Sequence, residues 1–174
     1  MRTALLAIAV LIALPAVVAA QPRGDAWQAY HYGSEPNDLA LIYGAPLDGG
    51  QPYYPGLTCP NRGQIVVHFF LTDAQFPNRR SNGAMVDARG IAGPWTTQVT
   101  VSAGSSVTTL PGQIEYDDIG DVIQVRATLP HGSPAAVEFA RTGHIVASAR
   151  GYTTPFPPVP QALRRRLLEY CTGH

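Results

Sequence analysis

The 174-residue sequence has no lysine; all twelve of its basic side chains are arginine. Arginine solvates a surface as well as lysine does, but its guanidinium stays protonated and supplies no amine nucleophile. Schiff-base chemistry, pyridoxal phosphate attachment, the phosphate-cradling loop with its Lys, and Ser–Lys hydrolysis are therefore excluded. Charge of either sign is sparse: charged residues make up 14% of the sequence, and twelve acidic residues balance the twelve arginines. A neutral domain lacks the clustered positive potential that nucleic-acid phosphates demand. Cysteine is nearly absent too, with only Cys59 and Cys171.

Long apolar runs are confined to the first residues, MRTALLAIAVLIALPAVVAAQ. One Arg, a short apolar stretch from Ala4 to Leu14, then Pro15 and small residues have the form of a secretory signal peptide. Val18 and Ala20 fit the −3 and −1 positions, which predicts a leader over 1–20 and cleavage before Gln21. The apolar run is well short of the roughly 20 residues that cross a bilayer, so no membrane span is expected. Residues 21–174 then form one domain, periplasmic or secreted.

In an oxidising compartment two cysteines pair, so a Cys59–Cys171 disulfide is expected. Seventeen glycines and sixteen prolines suit a loop-rich β protein. QIVVHFFLT (64–72) reads as a central strand covered on both faces, with His68 as a satisfied core residue. Trp95 to Val101 and Ile123 to Leu129 alternate apolar with polar, each a one-sided strand. AAVEFAR (135–141) and GHIVASA (143–149) read as two more, with shorter candidates at LALIY and AMVDA. Asp48-Gly49-Gly50, Asn82-Gly83, Pro111-Gly112 and His131-Gly132-Ser133-Pro134 are turn signals. The fold class this predicts is mainly β, an antiparallel sandwich or barrel-like domain. YTTPFPPVP is too rich in proline for a central strand and is expected to run extended over the surface. One C-terminal helix follows at about 160–171, with Leu163, Leu167, Tyr170 and Cys171 on one face.

A cysteine ahead of a long apolar strand, a strand ending in Asp87, a later Trp95, the Phe139-x-x-x-Gly143 step and a helix ending in cysteine occur in that order. Over residues 55–174 this resembles the secreted accessory proteins associated with bacterial type VI secretion. The resemblance implies a periplasmic, non-catalytic role supporting a larger envelope assembly, with another envelope protein as partner. Two features differ from that family: the stretch from Gly143 to Cys171 is longer, and the Pro-rich segment has no counterpart.

Candidate sites are few. The five histidines, His31, His68, His131, His144 and His174, show no metal-ligand spacing. The acidic run Glu115, Asp117, Asp118 and Asp121 could gather oxygens around Ca²⁺, but its spacing is not that of a calcium loop, and no cofactor is expected. An envelope hydrolase would have to combine Asp117 and Asp121 with a histidine such as His131. GSS at 104–106 lacks the flanking glycines of a nucleophile elbow. Tyr152 and Phe156, set among prolines, form a candidate strip for partner binding. Arg164 to Arg166 read as the solvated side of the helix. The expectation is a binding or accessory module of the envelope rather than an enzyme.

The leader is tested by intact mass. The exported protein should begin within two residues of Gln21, and a mass retaining Met1 to Ala20 would contradict that.

Overall fold

The structure is a computed structural model that describes residues 26–31, 39–44, 55–60, 62–118 and 121–172. The expected leader, its cleavage site and the Asp48–Gly50 turn lie outside the described residues. Alternation of apolar and polar residues builds the strands. β1 (Trp27–His31), β2 (Leu39–Tyr43), β3 (Gly56–Cys59) and β4 (Gln64–Leu71) form a meander, and β5 (Asn78–Ser81) with β6 (Ala84–Asp87) makes a separate hairpin. A second meander follows, β7 (Trp95–Ala103), β8 (Ser106–Asp117) and β9 (Val122–Pro130). Next come α1 (Pro134–Thr142), β10 (Val146–Ala149), β11 (Tyr152–Pro155) and α2 (Gln161–Thr172). All but the hairpin join one antiparallel sheet of order β1-β2-β3-β4-β9-β8-β7-β10-β11, curled into a half-barrel. The expected mainly β domain with a C-terminal helix is the fold observed.

One face of this sheet holds the core. Leu41, Leu57, Val67, Ala127 and Gly112 are successive register partners across five strands. Phe69, Ile65, Leu129 and Ile114 are fully buried on the same face. Gly112 is required there, because a Cβ would lie 2.5 Å from Val99 Cγ2 and 3.0 Å from the Arg126 carbonyl. The helices cover this face, α1 against β7 and β8 and α2 against β1, β2 and β3.

Three expectations are corrected. AAVEFAR is not a strand but lies in α1: Pro134 occupies its first turn, and Gly143, in the left-handed region at φ 76°, donates its N–H to the Phe139 carbonyl. Its buried residues Ala135, Ala136 and Phe139 follow a helical stripe and leave Val137 exposed. Pro111-Gly112 is not a turn but lies inside β8. The ladder between β8 and β9 ends at the Gly112–Ala127 pair, so the donor that Pro111 lacks is not needed on that side. Finally, β4 is central but covered unequally: Ile65, Val67, Phe69 and Leu71 are buried while Val66, His68 and Phe70 are half-buried.

The C-terminal helix is as expected, with Leu167 and Cys171 fully buried and Leu163 and Tyr170 partly so. Cys171 is bonded to Cys59 on β3, with Cα atoms 5.6 Å apart. The bond closes a sequence separation of 112 residues, which on the chain-entropy model stabilises the fold by about 4–5 kcal/mol. Cys171→Ser should therefore lower the unfolding free energy by several kcal/mol, read from urea denaturation. Limited proteolysis should then cut first between Pro155 and Thr172.

Candidate functional site

The face of the sheet turned away from the core carries the polar half of each alternating strand, and the curl makes it a trough of about 1070 Å³. One register row crosses its floor: Thr96 pairs with Gln113, Gln113 with Arg126, Arg126 with His68, and His68 with Gly56. Neighbouring strands set these groups about 4.8 Å apart. Gly56 lines the trough and projects no side chain beside the imidazole.

Two pairs order the floor. Thr58 Oγ1 and His68 Nε2 share a hydrogen bond of 2.7 Å. Arg126 Nε donates to Gln124 Oε1 at 2.5 Å, and its Nη1 lies 3.5 Å from Glu115 Oε2. Burial and then the neighbouring Arg126 charge lower the His68 pKa from 6.5 to about 4. His68 is therefore neutral at pH 7, a hydrogen-bonding group and not a second cation.

A hydroxyl beside an imidazole invites comparison with a nucleophile and its base. The electrostatics argue against it, since attack would leave an imidazolium beside Arg126. A base of pKa about 4 is some three units weaker than one poised at neutrality, which corresponds to about 4 kcal/mol of unfavourable proton transfer. The pair suits holding a ligand better than activating Thr58.

The other expected sites do not assemble. Asp117 ends β8 and Asp121 opens the turn into β9, where the Tyr116 hydroxyl donates to Asp121, a bond that raises the Tyr116 pKa. His131 follows the opposite end of the nine-residue β9, ten residues after Asp121 and separated from it by about 30 Å of strand rise. The hydrolase constellation of Asp117, Asp121 and His131 is thus corrected: these groups share no site. Among the described residues no three of His, Cys, Asp or Glu gather as a metal-ligand set. His174 and the side chain of His31 lie outside the described residues.

The aromatic strip is also corrected. Tyr152 is 40% exposed on the edge strand β11, but Phe156 is only 5% exposed, its ring centroid 6.5 Å from that of Trp27. Trp27 Nε1 donates to the Pro157 carbonyl at 3.0 Å. The Pro-rich segment therefore ties the last strand back to the first, and Phe156 belongs to the core. Asp87, buried, accepts the N–H groups of Arg89 and Ile91 and the Arg89 guanidinium. These bonds, that from Ile91 foremost, hold its pKa below the usual carboxylate range and fix the loop whose Ile91 carbonyl receives Trp95 Nε1.

Sequence reasoning does not find the trough. It assigns His68 to the core, and it treats Gln113, Gln124 and Arg126 as solvent-facing polar residues or leaves them unassigned. Their convergence depends on β9 lying between β4 and β8, which strand periodicity does not encode. Comparisons with family models, with curated proteins and with solved structures find no match to this protein.

A histidine whose folded pKa lies below its unfolded value favours the fold only while neutral. Between pH 6.5 and about 4 the unfolded chain binds the extra proton, so stability falls as pH falls through that window, by up to about 3 kcal/mol. Urea midpoints at pH 6.5, 5 and 4 should show this loss in the wild type, and His68→Gln should show markedly less of it. Equal slopes would remove His68 as the cause.

Proposed function

We propose that the protein acts outside the cytoplasm as a non-catalytic binding or accessory module of the cell envelope, gripping its partner on the trough. The observation that carries this reading is the ordered floor of hydrogen-bonding side chains that adjacent strands hold in one row. The buried Cys59–Cys171 bond suits an oxidising compartment. Among the described residues no helix is long and apolar enough to cross a membrane. The resemblance of residues 55–174 to type VI accessory proteins supports a periplasmic role with another envelope protein as partner. Neutral net charge favours such a partner over nucleic acid.

Photo-crosslinking in intact cells tests this directly. A benzoylphenylalanine at Thr96 or Gln98, both lining the trough, should give one discrete adduct with an envelope protein. The same probe at Val137, exposed on α1, should give none. Equal labelling from both positions, or no adduct from the trough, would reject the reading.

A further inference from the structure

Building on the trough as the partner site, we infer that what it recognises is a carboxylate on an extended peptide segment of the partner, received by Arg126 in exchange for Glu115. Among the described residues the trough is lined by one arginine and one neutral histidine, and by no Asp or Glu. Its one fixed positive charge is Arg126, whose nearby acid Glu115 lies 3.5 Å away just outside that lining, and one guanidinium matches one carboxylate, here a ligand's in place of Glu115.

Arg126 is placed to make the exchange. Its side chain is 47% exposed, and at 3.5 Å its pair with Glu115 is loose beside the 2.8 Å pair of Arg89 with Asp87. Gln124 holds Nε, which aims the guanidinium without neutralising it. A half-exposed ion pair of this kind is weak, so an incoming carboxylate replaces it at small cost.

The rest of the row reads the segment that carries the charge. His68, fixed by Thr58, stands on one side of Arg126, and Gln113 then Thr96 stand on the other. These uncharged donors and acceptors match the N–H and C=O groups of a peptide backbone. The carboxylate is that of an acidic side chain, because the row continues on both sides of Arg126 and so receives a segment that runs past the guanidinium rather than one that ends on it.

The probes are three blocked tripeptides titrated into the ¹⁵N-labelled protein and followed by amide chemical shifts. They are acetyl-Gly-Glu-Gly-amide, acetyl-Gly-Gly-Gly with a free C-terminus, and the neutral acetyl-Gly-Gln-Gly-amide. Acetyl-Gly-Glu-Gly-amide should shift amides of β4, β8 and β9 and bind about three- to five-fold more tightly than the neutral peptide. Tighter binding of the peptide with the free C-terminus than of acetyl-Gly-Glu-Gly-amide would overturn the side-chain assignment. Arg126→Gln should abolish the difference, and Glu115→Gln, which frees Arg126, should strengthen acidic binding. Equal binding of acidic and neutral peptides, preference surviving Arg126→Gln, or no shifts on the trough strands would overturn the proposal. Crosslinking from Thr96 without acidic preference would leave the trough as the partner site and reject the carboxylate. Acidic preference without any crosslink would do the reverse.

Discussion

The bond between Cys59 and Cys171 determines where the last helix must lie, and much of the architecture follows from that position. A twelve-residue helix is marginal alone, and only Leu167 and Cys171 of α2 are fully buried. The disulfide and the 2.6 Å hydrogen bond from Gly63 N–H to the Cys171 carbonyl hold it under β3 and β4. β11 is last in the strand order and β1 first, but the curl brings the two edges together, so residues 156–160 pass beside β1 on the way to α2. There Phe156 packs on the Trp27 ring, and Trp27 Nε1 donates to the Pro157 carbonyl. The junction with α1 is tight: Val159 N–H donates to the Gly143 carbonyl, and a Cβ on Gly143 would collide with Arg164 and the Val159 carbonyl. Glycine is needed there for both space and its left-handed backbone.

Placing both helices on one face settles the character of the other. The apolar half of each strand is covered by α1 and α2, so the polar half faces outward with none of the described helices laid upon it. Curling then turns this face concave. The break in the β8–β9 ladder beyond Gly112 and Ala127 lies within the trough, with Pro111 and Thr128 lining it just past the last pair. A residue that reads as a turn former thus shapes the wall of the trough.

How much of this is legible in the sequence follows from which signals are local. Alternation in β7 and β9, and the helical stripe of Leu163, Leu167, Tyr170 and Cys171, depend only on near neighbours, and both match the structure. The cysteine pairing follows from compartment and count alone. AAVEFAR is ambiguous because it fits an alternating pattern as well as a helical one; Ser133-Pro134 before it and Gly143 after it are the signals that decide between them. The trough is illegible for a different reason: Thr58, His68, Gln113 and Arg126 are far apart in sequence, and only the strand order brings them into one place.

For the partner site proposed on the trough, the entropy of association is the term its construction acts on. Holding a mobile side chain in a complex costs about 0.5–1.5 kcal/mol each, so a face whose groups are already held loses less on binding. Thr58 and Thr96 are β-branched and restricted at χ1. His68 is held by Thr58, and Arg126 by Gln124. The backbone beneath them is paired on both sides at β4 and β9. The same holding that lowers the cost of binding keeps His68 uncharged beside Arg126, so the positive potential stays on one guanidinium. Under the proposed recognition, a face organised in this way favours one anionic group in one register and leaves specificity to the neutral groups on either side.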